Sequence, residues 1–123
     1  MGSYQDAVNA VREAAFRSMS WTDQATGVVA VNGEPTSATD GVSLQGRSAF
    51  AVQVEEEVAS LVCDVVVWGY ADGAWGKIPG GAFSVDPSLL EATQNAGACE
   101  RVYIEVSAYT SGTATLKVGV PLA

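Results

Sequence analysis

The chain contains no histidine, and only 6 of its 123 residues are basic against 14 acidic, a formal net charge of −8. The missing imidazole removes the commonest general base and the commonest metal ligand together, so Ser-His and Cys-His nucleophile arrangements are excluded. Arg12, Arg17, Arg47, Lys77, Arg101 and Lys117 stand singly, whereas nucleic-acid phosphate and anionic membrane surfaces both call for clustered cations. Neither nucleic acid nor membrane is therefore expected as a partner. No apolar run approaches the roughly 20 residues of a spanning helix, and Gly80-Gly81 lacks the Lys-Ser/Thr of a phosphate loop. The opening Met1-Gly2-Ser3-Tyr4-Gln5-Asp6 has no basic and apolar leader pattern, so secretion is not expected. Cysteine is scarce as well. Without histidine, Cys63 and Cys99 cannot make a zinc site unless carboxylates or a second chain complete it. Cys63, between Leu61 and Val65 on one strand face, is read as a small core hydrophobe, with a Cys63–Cys99 disulfide as the alternative. Paired carboxylates across a cleft stay formally open for glycoside hydrolysis, but the chain is expected to be no enzyme and to carry no cofactor and no metal.

What is present is alternation. Val102, Ile104, Val106 and Ala108 alternate with polar and aromatic residues, and Ala114, Leu116, Val118 and Val120 do the same. A three-residue loop at Thr110, Ser111 and Gly112 would fold these runs into a hairpin pairing Val106 with Leu116 and Glu105 with Lys117, with Gly112 in the left-handed position. Phe50, Val52 and Val54 form one face of a strand over 48–55, closed by the charge triplet Glu55-Glu56-Glu57, which reads as a solvated strand end. Leu61 to Tyr70 is the most apolar strand. The Asp72-Gly73 turn behind it pairs Tyr70 with Trp75, Gly69 with Gly76, Trp68 with Lys77 and Val67 with Ile78. Pro79-Gly80-Gly81 should end that hairpin, Ala82–Val85 adds a short run, and residues 86–97 read as a loop or one helical turn begun at Pro87.

Towards the amino terminus, Ser3 and Asp6 resemble a capping box, and Tyr4, Val8, Val11, Ala15 and Met19 recur at helical spacing. A helix over about 4–18 is expected, packed on its own domain or serving as a self-associating or partner-docking arm. Residues 20–46 are polar and glycine-rich apart from Val28, Val29 and Val31, and read as a connecting arm with one short strand before the Asn32-Gly33 turn. The fold class is thus mainly β: an antiparallel β-sandwich or jelly roll with an N-terminal helix and extended arm, divided into residues 1–46 and 47–123. The candidate site is an aromatic face of Trp68, Tyr70 and Trp75 beside Lys77. Such rings suit a protein interface or stacking against a sugar, unless the pair Tyr70 and Trp75 merely covers a sheet edge or lies under the arm, with Lys77 over Trp68 as a cation–π contact.

The segment from about Gly41 to Leu122, with Val65-Val66-Val67-Trp68-Gly69-Tyr70, the Asp72-Gly73-Ala74-Trp75 turn and Arg101-Val102-Tyr103-Ile104-Glu105-Val106, resembles the small β-sandwich structural proteins of tailed-phage virions, nearest to capsid decoration or cement proteins. That resemblance implies synthesis in the host cytoplasm, a place on the capsid exterior, and a homo-oligomer, trimer favoured, bound to the major capsid or another virion protein. A carbohydrate-binding module using Trp68, Tyr70 and Trp75, and a tail fibre or baseplate component, are the alternatives. Expected interface residues are Tyr4, Val8, Val11, Met19, Trp68, Tyr70 and Trp75.

Overall fold

The computed structural model describes residues 19–47, 49–85, 90–95 and 99–122. These form six strands: β1 (Met19–Val28), β2 (Val42–Ser43), β3 (Ala49–Ala71), β4 (Ala74–Val85), β5 (Leu90–Asn95) and β6 (Arg101–Pro121). All join one antiparallel sheet, and no helix occurs among the described residues. The expected helix and its residues Tyr4, Val8 and Val11 lie outside them. Met19, expected to end the helical stripe, instead begins β1 opposite Pro121.

The sheet is organised by its two longest strands. β3 and β6 pair from Ala51↔Gly119 to Tyr70↔Arg101. In the first half, β1 flanks β6 and β5 flanks β3; in the second, β2 flanks β6 and β4 flanks β3. Phe50, Val52 and Val54 point inward before the midpoint, and Leu61, Cys63, Val65 and Val67 after it, all in one hydrophobic cluster with Val102, Ile104, Val106, Leu116 and Val118. The inward residues of β3 change from even to odd numbers between the halves. Side chains alternate strictly along a strand, so the ladder must slip by an odd number of residues, and it does so through register shifts between Glu56 and Val65. Ser60 there takes a left-handed φ of 40°.

Here the expected closing hairpin is overturned. Residues 101–121 are one strand, Val106 lies opposite Val65, and Leu116 lies opposite Val54. Gly112, with φ 89°, sits within the strand, and the Tyr109 hydroxyl donates to its carbonyl at 2.7 Å. Lys117 pairs with Glu55 rather than Glu105. That bond raises the ammonium above its usual 10.5, so its contribution holds below that pH and is lost as pH rises through the raised value.

The strands expected over 48–55 and 61–70 are likewise one, and the acidic triplet takes part in bonds at its register-shifted stretch. Besides the Glu55 pair, Glu56 accepts the Leu61 N–H at 3.1 Å and Glu57 accepts the Gly27 N–H at 2.7 Å. The Asp72-Gly73 turn forms as expected, with φ of 52° and 80°, and pairs Tyr70↔Trp75, Gly69↔Gly76 and Trp68↔Lys77. The expected Val67–Ile78 pair does not form. The ladder shifts beyond Trp68 and resumes at Val66↔Ala82, so Pro79-Gly80-Gly81 is a bulge inside β4, not its end. Leu90–Asn95, expected in a loop, pairs with β3. Residues 20–46, expected as a connecting arm with one short strand, supply β2 and all of β1 but Met19, and place Val42 and Leu44 in the core. Trp21 in β1 packs over Gly119, where its ring fills the space a side chain would need.

Leu116 is fully buried, so Leu116→Ala is expected to cost about 2–5 kcal/mol, and the half-exposed Lys117→Ala less than about 1 kcal/mol. Gly41→Ala should fall with the former, since its Cβ would lie 2.2 Å from the Val102 carbonyl oxygen at φ +71°. Urea denaturation of the three variants checks the ranking; a Lys117→Ala loss equal to that of Leu116→Ala would contradict it.

Candidate functional site

Outward-facing residues of β3, β4 and β6 meet on the second half of the sheet. Registers Trp68↔Tyr103, Tyr70↔Arg101, Tyr70↔Trp75 and Trp68↔Lys77 put four aromatic rings and two cations side by side. The Tyr70 and Trp75 centroids lie 5.2 Å apart with planes tilted 59°, and Trp75 meets Tyr103 at 6.1 Å and 65°. Trp68 is held separately: its indole N–H donates to Glu105 at 2.8 Å, and the Lys77 ammonium stands 5.5 Å from the ring centroid. All four rings are half-buried. The structure thus brings together the expected Trp68, Tyr70, Trp75 and Lys77, and adds Tyr103.

Residues 29–41 run from the end of β1 across this face. Hydrogen bonds fasten them to it, and Pro35 alone among them is buried. The Trp75 indole donates to the Ser37 carbonyl at 2.9 Å and the Tyr103 hydroxyl to the Gly33 carbonyl at 3.0 Å. The Arg101 guanidinium donates to the carbonyls of Thr39, Asp40 and Gly41 at 2.9–3.1 Å. Asp40 accepts the Thr36 and Ser37 N–H groups at 2.8 and 2.9 Å. Bonds from the Ser37 and Thr36 amides hold the Asp40 carboxyl below its usual 3.8, against an opposing desolvation and with the Arg101 charge as the least of the causes. Burial, followed by the charges of Asp40 and Glu105, pushes the Tyr103 hydroxyl up. Of Tyr70 and Trp75, expected to lie under the arm, Trp75 is bonded to this segment, and Tyr103, outside that expectation, is bonded to it as well.

Beside this face, the edge of β6 at Ile104–Val106 is bonded by side chains. Gln24 accepts the Ile104 N–H at 2.7 Å and donates to its carbonyl at 2.8 Å. Asn32 accepts the Val106 N–H at 2.7 Å and donates to the Ile104 carbonyl at 3.2 Å. Two carboxamides present the donor and acceptor pattern of a neighbouring strand.

Two shallow clefts adjoin the face. One, of about 400 Å³, is lined by Gly69, Trp75, Ile78, Pro79 and Cys99, with the Cys99 sulfur where a side chain on Gly69 would project. The other, about 290 Å³, holds Asp64, Phe83, Ser84 and Ser107; there the Ser84 hydroxyl donates to Asp64 at 2.7 Å. Cys63 and Cys99 are free thiols, Cys63 buried in the core as expected, and burial pushes both thiols up. Among the described residues no three His, Cys, Asp or Glu side chains gather as metal ligands, and no helix is long and apolar enough to cross a membrane.

Tyr103, Asn32 and Gln24 escaped the sequence reading. Tyr103 was visible as an outward residue between Val102 and Ile104, but its partner Trp68 follows only once β6 pairs with β3. In comparisons with known proteins, no family model, curated protein or solved structure matches this chain.

The depressed Asp40 carboxyl fixes a sign. A group whose folded value is lowered contributes stability that is present above the ordinary aspartate range and is lost as pH falls through the folded value. The Thr36 and Ser37 amide NMR signals should therefore titrate together with a midpoint below 3.8, while Val65 and Ile104 stay unmoved. A midpoint at or above that value would contradict the assigned bonds.

Proposed function

We propose that this chain is a non-enzymatic virion structural protein of the capsid decoration or cement type, which binds and stabilises a phage shell through protein–protein contacts. The observation that carries the reading is the joined ring cluster of Tyr70, Trp75 and Tyr103 on the outer sheet face. Large, rigid amphipathic rings bury much area at small entropic cost, as interface hot spots do. The same geometry weighs against the sugar-binding alternative. A stacking platform needs rings that one sugar chain can lie across, whereas Tyr70 and Trp75 are tilted by 59° and Lys77 caps Trp68. A tail fibre or baseplate location would use the same surface.

The architecture proposed with this function is a β-sandwich or jelly roll. Its support is the single cluster drawing Phe50, Val52 and Val54 from one half of the sheet and Leu61, Val65 and Val67 from the other. The Gln24 side chain of β1 also reaches Ile104 in the opposite half. The stripe Tyr4, Val8 and Val11 supplies, in the same proposal, a seam for a homo-oligomer, trimer favoured. Many copies on one lattice then add weak contacts through effective concentration.

Electron cryomicroscopy of virions carrying the chain is expected to place it on the capsid exterior. Trp75→Ala should weaken attachment to stripped shells by roughly tenfold or more, and Val11→Asp should shift the free protein towards monomer in sedimentation. Density confined to the tail would transfer the chain to fibre or baseplate. Saturable oligosaccharide binding quenched by Trp75→Ala, without shell attachment, would replace the proposal with the sugar-binding reading.

A further inference from the structure

The segment that crosses the aromatic face is attached in an unusual way. From Val29 to Thr39 every residue is exposed except Pro35, and Val29 and Val31 turn more than half of their surface to solvent. The segment is thus fastened mainly by hydrogen bonds, with Pro35 its one buried side chain, the pattern of elements that open locally before the whole fold does. Its two ends differ. Gly41 is pressed against the Val102 carbonyl and bonded by Arg101, a fixed end. Gly33, at φ 79°, has open space around it and turns the chain from the edge of β6 onto the rings.

We propose that residues 33–41 are a latch, closed by Asn32 on the β6 edge and by the Trp75 and Tyr103 bonds, whose release from the Gly33 end uncovers these rings for the partner. The inference concerns regulation of the surface assigned above and rests on that reading for its biological partner, a shell protein. Closed, the latch occupies the polar tips of Trp75 and Tyr103 and shields part of their area. Open, it leaves the Trp75 and Tyr103 rings beside Tyr70 as one apolar surface, and it frees the Val106 N–H. Gln24, which belongs to β1, still holds Ile104, so the sheet keeps its edge while the latch moves. Premature association through the rings is thereby restrained until a partner competes for them.

The Val106 amide proton reports the latch, and the Ile104 amide proton, bonded to Gln24, is the internal control. Gly33→Ala changes no side chain on the face but places a left-handed turn on a residue that disfavours it. It should speed Val106 exchange by roughly 5- to 30-fold while leaving Ile104 unchanged. Asn32→Ala, which removes the amide itself, should act in the same direction. Binding of Nile red, a neutral dye suited to a chain of net charge −8, should rise in both variants, and stripped shells should bind them more tightly than wild type. Equal exchange at Val106 and Ile104 in both variants would overturn the latch, as would faster Val106 exchange with unchanged dye binding or with weaker attachment to shells. If exchange and dye respond as expected but neither wild type nor variants attach to shells, the latch stands and the virion function falls.

Discussion

Everything in this sheet hangs on the pairing of β3 with β6. Each is a neighbour of the other in both halves, and each carries one further strand per half, so no other strand touches the sheet except through these two. The ladder does not run uniformly: register shifts interrupt it between Glu56 and Val65, and polar groups are concentrated around that stretch. Glu56 and Glu57 bond backbone N–H groups of Leu61 and Gly27, Ser111 donates to the Ser60 carbonyl at 2.8 Å, and Tyr109 closes on Gly112. Backbone groups released by register shifts must find other partners when water is excluded. Both halves contribute inward residues to one hydrophobic cluster, where each fully buried Leu, Ile, Val or Phe contributes about 1.5–3 kcal/mol by removal from water.

The acidity of the chain acquires a structural meaning from this. Glu56, Glu57 and Asp40 accept backbone N–H groups, Glu105 holds the Trp68 indole, and Glu55 binds Lys117. Gln24 and Asn32 do for the β6 edge what the carboxylates do for the register-shifted stretch. Among the described residues no buried side-chain nitrogen or oxygen lacks a hydrogen-bond partner. Side chains that a composition count treats as surface charge are here part of how an irregular sheet keeps its backbone satisfied. An open strand edge capped in this way is also a poor template for a stray chain.

The sequence made the faces legible but not all of the connections. Phe50, Val52 and Val54, and Leu61, Cys63, Val65 and Val67, were readable as inward faces from alternation alone, and Asp72-Gly73 gave both a turn and three correct pairs. Alternation failed at residues 101–121 for a definite reason: two strands of a hairpin and two halves of one long strand share the same period, and Gly112 serves either. β1 was missed because Met19–Val28 is a bulged edge strand with an irregular burial pattern. Pro79-Gly80-Gly81 looked like a stop because a bulge and a strand end use the same residues. Of the candidate site, Trp68, Tyr70 and Trp75 were legible as one face. Tyr103 and the covering segment were not, because their positions depend on pairings more than 30 residues apart in the chain.

The place of β6 in the chain order also sets when the molecule can assemble. It is the last of the six strands, yet β1 and β2 pair with it alone and β3 needs it along most of its length. Before β6 is available, the hairpin of β3 and β4 and the pairing with β5 are the contacts that earlier strands can make among themselves. Closure then requires joining Ala51 to Gly119 and Ser20 to Val120, contacts of the non-local kind that make all-β domains fold in about milliseconds to seconds. During synthesis the apolar face of β3 must wait uncovered until the final strand arrives, which makes nascent chains of this protein natural clients for any factor that shields exposed strands.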